Sequence, residues 1–447
     1  MIRIANGQGF WGDWLEAPVR LVDGGPIDYL TLDYLAEVTM SILQKQRQAD
    51  PQLGYARDFP PLIGRIAKKL VDRRIKVIAN AGGVNPIACA RAVLKATPDL
   101  PDLKVAVVLG DDVLDRIEEF LDKGYAMRNI DTGEPLAAIR GRILSANAYI
   151  GAFPLAEALA GGADVVISGR CADAALVLAP MIQRFGWGPE DWDKLASGIV
   201  AGHIIECGAQ CSGGNCQVDW QNIPDLANIG YPIVEAEPDG SFTVTKHPGT
   251  GGRIDSHGVK EQLLYEIGDP RQYITPDCIA DFTSIHLEDS GPDRVRGSGV
   301  RGAARPPMLK ASISYDAGWK ASGTLVYTWP QALQKARAAD AIVRRRIAQL
   351  GLHFEEIHSE FFGVNACHGP VAPPVADPPE VQLRIGVRGS DKRAVDRFTR
   401  EMIPLVLTGP PGGTGYGEGR PEVRQMVAYW PALIPREEIC TRVEVVK

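Results

Sequence analysis

The stretch IKVIANAGGVNPIACARAVL, residues 75 to 94, decides the fold because it contains a strand, a loop and a helix in that order. The nearly continuous apolar run at 75–79 is typical of a parallel strand that is covered on both faces. Asn85 and Pro86 suit the N-cap and the first turn of the following helix. A capped turn alone does not require Asn80 or the paired glycines, so we expect this loop to hold a ligand.

Backbone amides are the groups that this loop is expected to offer. Gly82 and Gly83 permit positive φ angles and a close approach of the main chain to a ligand. Amides at the start of a helix, together with the helix dipole, favour an anion. The alternative is a well-capped strand–helix turn that binds nothing.

The same order of strand, loop and helix recurs through the first half of the chain. The alternation predicts an α/β fold with an N-terminal Rossmann-like, open, mostly parallel sheet. The predicted strands are 2–5, 29–33, 75–79, 105–109 and 165–168, and two of the predicted helices are 113–121 and 174–182.

A change of composition near residue 221 suggests a second domain. Glycine and proline become denser there, and strands such as 381–387 alternate between apolar and polar residues. The 447 residues also exceed what one hydrophobic core usually holds. We predict an α/β domain at 1–220 and an α+β domain at 221–447, whose glycine-rich loops close the cleft. Ser390 is the predicted N-cap of a helix at 392–402.

The bulk composition excludes several classes of protein. The formal net charge of −7 disfavours a nucleic-acid partner, which requires a surplus of lysine and arginine. The N-terminus does not resemble a secretory signal, and no apolar run reaches the length of a membrane span. The eight cysteines are scattered, as expected for reduced thiols. We expect a cytoplasmic protein without a membrane anchor.

Four loops are predicted to meet at the carboxyl edge of the sheet, where open α/β sheets bind their ligands. They are 6–13, 80–86, 110–112 and 169–173. A glycine-rich loop at 247–253 adds further amides, and another at 408–420 is either a lid or a simple corner. The residues predicted to bind substrate are Gly9, Asp13, Asn80, Gly82, Gly83, Asn85, Asp111, Gly251 and Gly252.

Arg170 and Asp173 are predicted to take part in catalysis. The guanidinium of Arg170 follows a buried strand and could clamp a carboxylate or phosphate in bidentate fashion. Asp173 could hold that guanidinium or transfer a proton. The alternatives are a surface ion pair and a helix cap.

His203 and Glu206 form a second candidate pair, because residues three apart lie on one face of a helix. They could act as acid and base, or form a buried hydrogen-bonded pair. A nucleophilic Cys207 is a further alternative. Structural zinc is disfavoured because no CxxC pair accompanies Cys211 and Cys216. Asp111 and Asp112 could bind a metal, although acidic residues at a helix start more often act as caps.

The sequence resembles the acyclic terpene utilisation (AtuA) family over most of its length. The resemblance is carried, in order, by 9–13 (GFWGD), 33–40 (DYLAEVTM), 80–86 (NAGGVNP), 110–112 (GDD), 147–149 (NAY), 169–173 (GRCAD), 202–208 (GHIIECG), 249–252 (GTGG) and 262–270 (QLLYEIGDP). Cys211-Ser212 departs from the family pattern, which is nearer Val-Thr, and Cys216 is a further departure. The resemblance therefore implies no shared role for these two cysteines.

The resemblance implies a place in the catabolism of branched acyclic terpenoids through acyl-CoA thioesters. Longer relatives carry an additional C-terminal ferredoxin-fold domain, so the resemblance implies that a separate small ferredoxin-fold subunit could be a partner. No cofactor and no metal ligand is assigned, and CoA enters only as part of a substrate. A homo-oligomer is expected.

Three functional hypotheses follow. The first is a catabolic lyase or hydratase that acts on a small branched carboxylated metabolite, as the free acid or as an acyl-CoA thioester. The second is a non-catalytic binding or scaffold subunit of a heteromeric complex. The third is a metal-dependent hydrolase that uses Asp111, Asp112 and His203.

Overall fold

The computed structural model describes residues 1–35, 37–415 and 419–447. The strands are, in chain order, β1 (Ile2–Gln8), β2 (Tyr29–Leu32), β3 (Lys76–Ala79), β4 (Val105–Leu109), β5 (Ile143–Ala148), β6 (Val165–Ser168), β7 (Pro232–Ala236), β8 (Phe242–Lys246), β9 (Tyr273–Ile274), β10 (Ile279–Asp281), β11 (His286–Gly291), β12 (Arg294–Ser298), β13 (Arg301–Ala303), β14 (Met308–Thr328), β15 (Glu356–Phe362), β16 (Glu380–Gly389), β17 (Gly413–Thr414), β18 (Arg424–Pro435) and β19 (Arg442–Val446).

The α-helices alternate with strands in the first half of the chain and become sparser afterwards. They are α1 (Ala17–Gly24), α2 (Glu37–Ala49), α3 (Phe59–Arg73), α4 (Pro86–Ala96), α5 (Ile117–Asp122), α6 (Phe153–Ala160), α7 (Ala175–Phe185), α8 (Trp192–Glu206), α9 (Ser256–Leu263), α10 (Ala332–Gln349), α11 (Lys392–Met402) and α12 (Leu405–Thr408). None of the helices described is long and apolar enough to cross a membrane.

The chain divides into two compact units whose boundaries differ from the predicted ones. Unit 1 consists of Met1–Ser314 and Tyr429–Lys447, and unit 2 consists of Tyr315–Ala428. The predicted boundary at residue 220 does not separate compact units. The change of composition there marks β7, β8, β11 and β12, which extend the sheet of unit 1 with antiparallel strands.

The large sheet of unit 1 confirms the predicted α/β fold. In the described part of the chain its strand order is β11-β12-β8-β7-β1-β2-β3-β6-β4-β19. The five strands from β1 to β4 in this order are parallel, and the flanking strands pair in antiparallel fashion. The parallel strands are short and apolar because helices cover both faces. The predicted bounds of β4 and β6 match the structure.

Two hydrophobic layers cover the parallel strands. Alternate residues of β4 and β6 face opposite sides: Val108 and Val166 pack with residues of α6, α7 and α8, and Val107 and Ile167 with residues of α3 and α4. Both faces of these strands are therefore dry. The carboxyl ends of the parallel strands, where loops begin, are the places at which polar side chains gather.

Unit 2 has the order β14-α10-β15-β16-α11-β18, and its sheet runs β15-β16-β14, with β18 also paired to β14. This β-α-β-β-α-β order is that of the ferredoxin-like fold. One sheet face packs on α10 and α11 through side chains such as Leu325, Leu383 and Phe398. A unit with the topology expected of a separate subunit therefore occurs within the chain itself.

Helix α11 has the predicted bounds, but its N-cap is Asp391 and not Ser390. The Asp391 carboxylate accepts a hydrogen bond of 2.8 Å from the Arg393 amide. Because capping depends on which residue holds the non-helical backbone directly before the first turn, a shift of one position moves the role to a neighbour.

Candidate active site

The carboxyl ends of the parallel strands bring the predicted loops together. After β3, Asn80 Nδ2 donates to Asp33 Oδ1, which follows β2, at 2.6 Å. After β6, the Arg170 amide donates to Asp111 Oδ2, which follows β4, at 2.7 Å. On β1, Asn6 Nδ2 donates to the Glu206 carbonyl at 2.8 Å. The four loops therefore do lie along one edge.

Arg170 is buried in the middle of this edge, with only 2% of its surface exposed. Its Nη1 donates to the Leu35 carbonyl at 2.6 Å and to Asp173 Oδ1 at 2.7 Å. The guanidinium also lies over the Tyr149 ring, 4.2 Å from its centroid. Burial opposes its charge, but Asp173, Tyr149 and Asp33 outweigh burial and raise the pKa of Arg170. The cation is permanent.

Asp33 and Asp173 are the two carboxyl groups whose charges act on this cation. Asp33 is buried, and burial, reinforced by the negative charge of Asp173, raises the pKa of Asp33 well above its ordinary value. The Leu35 amide and Asn80 hold its carboxyl group in place. Asp173 is the more accessible partner, with 35% of its side chain exposed. The arrangement combines a buried acid with a raised pKa, a fixed cation and a carboxylate that solvent can reach.

Asp111 is a second buried carboxyl group, and it is held by the main chain and by an amide. Its Oδ2 accepts from the Arg170 amide and from Asn147 Nδ2, the latter at 2.9 Å. The carboxyl approaches Gly169 so closely that a Cβ there would lie 2.3 Å from Oδ2. Burial outweighs both hydrogen bonds and raises the pKa of Asp111 to about 7.

Asp111→Asn is expected to change how stability depends on pH. The folded pKa of about 7 lies above the unfolded value, so the folded chain keeps a proton that the unfolded chain releases. This contribution to the free energy of unfolding is present at low pH and is lost as pH rises towards 7. The free energy of unfolding of the variant, taken relative to that of wild type, should therefore rise by roughly 2–3 kcal/mol from pH 5 to pH 8. Urea unfolding at both pH values measures this, and exposed Asp102→Asn is the control. Equal pH slopes in wild type and Asp111→Asn would contradict it.

His203 and Glu206 form the predicted pair on α8. His203 Nδ1 lies 2.9 Å from Glu206 Oε1, and His203 is 1% exposed. Burial opposes the imidazolium, but Glu206 outweighs burial and raises the pKa of His203. Burial likewise raises the pKa of Glu206, opposed by His203 and reinforced by the negative charges of Asp173 and Glu266. The raised pKa values of both members therefore favour a proton held by the pair.

Three buried polar atoms around this pair have no hydrogen-bond partner among the described residues. They are His203 Nε2, Glu206 Oε2 and Gln262 Oε1. Gln262 comes from α9, and its Nε2 donates to the His203 carbonyl at 3.2 Å. Tyr273 and Phe282 pack on the imidazole with ring centroids 5.4 and 5.2 Å away. Unsatisfied buried atoms are rare in folded proteins, so this cluster has unused capacity to bind a polar group.

The comparisons with known proteins give one match, and it covers nearly the whole chain. The family model described as "Acyclic terpene utilisation family protein AtuA" matches residues 2–445. The chain belongs to the AtuA family. No curated protein and no solved structure matches it.

In this AtuA-family chain, the loop NAGGVNP does not present its amides to a ligand, and that prediction is wrong. The amides of Gly82, Gly83, Val84 and Asn85 donate to the carbonyls of Ser168, Asn80, Gly54 and Gly82, respectively. Asn85 does cap α4, because its side chain accepts from the Ala88 amide. The loop therefore contributes to the site through Asn80, which orients Asp33. Gly82 and Gly83 lack side chains and so let neighbouring segments pack closely against the loop.

Gly83→Ala is expected to destabilise the protein more than Gly124→Ala. Both positions have positive φ angles, +54° and +86°, so both substitutions strain the backbone. A Cβ at Gly83 would lie 2.3 Å from Leu43 Cδ1 and 2.7 Å from the Gly54 carbonyl, whereas none of the described atoms lies within 4 Å of one at Gly124. We expect a loss of about 1 kcal/mol for Gly124→Ala and roughly 2–4 kcal/mol for Gly83→Ala. Urea unfolding compares the two, and equal losses would contradict the packing role.

In the other predicted substrate-binding loops of this AtuA-family chain, the polar groups are also used in hydrogen bonds within the protein. The Asp13 carboxylate accepts from the Gly9 amide, the Trp14 amide and the Tyr231 hydroxyl. The Gly251 and Gly252 amides donate to the carbonyls of Asn228 and Pro224. These bonds tie neighbouring loops together, and we withdraw the four residues as direct substrate contacts. In the loop at 408–420, Gly413–Thr414 forms β17, and 416–418 lie outside the described residues.

The cysteine and metal alternatives find little support in the geometry. Burial and the charge of Glu206 raise the pKa of Cys207 to about 12, so its thiol is protonated at neutral pH and a poor nucleophile. Asp112 accepts from the Leu114 amide, but the N-cap of the short 3₁₀ helix that follows is Val113, so the predicted capping role is shifted by one residue. Across the described ranges, we find no group of three or more His, Cys, Asp or Glu residues arranged to hold a metal ion.

Several residues of the candidate site were not predicted from the sequence. Asp33 follows an apolar strand just as Asn80 does, and the same rule for carboxyl ends could have found it. Asn147 and Tyr149, at the end of β5, were noted only as part of a motif. Gln262 was likewise noted only as part of the motif at 262–270, and Tyr273 carries no local signal because tertiary packing brings it to α8.

Proposed function

We propose that this protein is a catabolic enzyme, a lyase or hydratase that moves a proton on a small branched carboxylated metabolite. The metabolite is a free acid or an acyl-CoA thioester of terpenoid or related degradation, in keeping with the family to which the chain belongs. We further propose that the enzyme acts in the cytoplasm as a homo-oligomer, with a small ferredoxin-fold subunit as its partner.

One observation carries the proposal: the partly exposed Asp173 carboxylate, which pairs with Arg170, acts electrostatically on two buried carboxyl groups. Burial, reinforced by the charge of Asp173, raises the pKa of Asp33. Burial and the charge of Asp173 likewise raise the pKa of Glu206, whose Oε1 lies 2.9 Å from His203 Nδ1. Elimination and hydration both need one group that removes a proton and another that supplies one.

The roles of the individual residues follow from their surroundings. Asp173 is the group that meets the substrate and accepts its proton, because solvent reaches it. Arg170 is a positioning residue for Asp173 and stabilises negative charge that develops nearby. Glu206, with His203, supplies the second proton, and the unsatisfied Gln262 Oε1 accepts a hydrogen bond from a substrate hydroxyl.

The test is exchange of substrate carbon-bound hydrogen with solvent. The purified chain would be incubated in D₂O with a branched 3-hydroxyglutaryl-type CoA thioester or with the corresponding free acid, and deuterium would be followed by mass spectrometry. We expect incorporation with wild type, incorporation slowed by about 10²- to 10⁴-fold with Asp173→Asn, and normal incorporation with Asp72→Asn, which removes an exposed carboxylate on α3. Equal incorporation by both variants would refute the role of Asp173. Turnover by a partner subunit in the absence of this chain would favour the scaffold hypothesis.

A further inference from the structure

Unit 2 contains a cavity of about 700 Å³ that has no residue in common with the site of unit 1. Its walls include the face of the sheet that is turned away from α10 and α11. Five of the lining side chains are lysine or arginine and two are glutamate, whereas the whole chain has a formal charge of −7. An acidic chain therefore concentrates cationic side chains around one cavity.

The strand register arranges these side chains in rows. On neighbouring strands, Lys320 lies opposite Arg388, and Thr324 lies opposite Arg384. Between the two rows, Ser322 lies opposite Gly386, which has no side chain to fill the space. Arg384 and Arg388 are four residues apart on β16, which corresponds to about 14 Å along the strand. The face thus carries two cationic positions with room between them.

Carboxylates orient both arginines by pairing with the Nε edge of each guanidinium group. Glu360 pairs with Arg384 Nε, and Glu356 Oε2 lies 2.9 Å from Arg388 Nε. The Arg384 guanidinium also lies over the Phe362 ring, 4.7 Å from its centroid. Within the described ranges, no hydrogen bond uses the terminal nitrogens of either arginine. The guanidinium groups are therefore oriented, and their forked ends have donors to spare.

We propose that this cavity binds a small organic molecule with two phosphate groups. Arg388 and Lys320 hold one phosphate, and Arg384 and Thr324 hold the other. Each pair offers more donors than the two oxygens of a carboxylate can accept, whereas a phosphate has three terminal oxygens. The inference concerns unit 2 alone and does not rest on the function proposed for unit 1.

Calorimetric titration of the full chain tests the site with three probes: fructose 1,6-bisphosphate, inorganic phosphate and adipate. We expect the bisphosphate to bind at least tenfold more tightly than phosphate, with adipate weaker still. Arg384→Gln and Arg388→Gln should each weaken the bisphosphate about tenfold. Arg345→Gln, which removes an exposed arginine of α10, should have no effect.

Four outcomes would overturn the proposal. Absence of binding would show that the cationic face of the cavity is exposed to water and holds no such ligand. Equal affinity for the bisphosphate and phosphate would exclude a ligand with two such groups. Equal affinity for adipate would exclude phosphate as the recognised chemistry. Unchanged affinity in both glutamine variants, with melting temperatures equal to wild type, would place the binding elsewhere.

Discussion

Arg170→Met should lower the free energy of unfolding by about 3–5 kcal/mol, the largest stability effect that we expect in this protein. The substitution keeps much of the side-chain volume and removes the charge. Asp173 then loses the cation with which it pairs, the ionised form of the buried Asp33 loses the charge that stabilises it, and the Leu35 carbonyl loses its donor. Removal of one member of a buried charged group costs more than the pair itself contributes, because the remaining charge stays desolvated.

The loss should be smaller in acid. Arg170 lowers the pKa of Asp33, so in its absence the pKa of that carboxyl rises further above the unfolded value. A group of this kind stabilises the fold when protonated and ceases to do so as pH rises through the folded pKa. The difference between Arg170→Met and wild type should therefore be smaller at pH 5 than at pH 8.

Urea unfolding at the two pH values measures both effects. Arg91→Met, which replaces an exposed arginine of α4, is the matched control and should change stability by less than about 0.5 kcal/mol. Addition of Asp173→Asn to Arg170→Met should restore part of the loss, because one uncompensated charge is removed. A loss below about 1 kcal/mol that is independent of pH would show that the carboxylates do not depend on this cation.

Asp173→Asn should reduce turnover by about 10²- to 10⁴-fold in the exchange assay, the range expected when a general base is removed. The amide has nearly the same shape and keeps an oxygen that can accept from Arg170 Nη1, 2.7 Å away in wild type. The side chain is 35% exposed, so the melting temperature should stay within a few degrees of the wild-type value.

The kinetic constants separate a chemical role from a binding role. Loss of a base that acts in the transition state lowers kcat and leaves KM nearly unchanged. Asp72→Asn should leave both constants at the wild-type values. A rise in KM with an unchanged kcat would show that Asp173 binds substrate without transferring its proton.

The parallel strands could be predicted from the sequence because their burial on both faces requires continuous apolar runs. β4 and β6 have the predicted bounds for this reason. The second-domain boundary failed for a related reason. Residues 232–246 form an antiparallel hairpin with a turn rich in proline and glycine, and an antiparallel strand can extend a parallel sheet as readily as it can begin a new domain.

The meeting of the loops could be predicted, since the carboxyl ends of neighbouring parallel strands lie at one edge wherever such a sheet forms. The partner of each amide could not be predicted. The amides of a glycine-rich loop donate to whichever carbonyls the fold brings near. Here the amides of Gly82 and Val84 donate to the carbonyls of Ser168 and Gly54, which come from other segments of the chain. Which carboxyl group would be buried could not be predicted either, although burial is the property that distinguishes Asp33 from Asp173.

The position of β6 between β3 and β4 has a consequence for the order in which the protein assembles. β3 and β4 precede β6 in the chain, so a nascent chain has both before it has the strand that separates them. Until residue 168 is synthesised, each keeps an unpaired edge in the middle of the future sheet, a liability for aggregation. Arg170 follows two residues later, and its partner Asp173 three residues after that. The cation that acts on Asp33 and Asp173 thus enters only with the strand that completes the parallel part of the sheet, and a chain that stops earlier has neither that part nor the site.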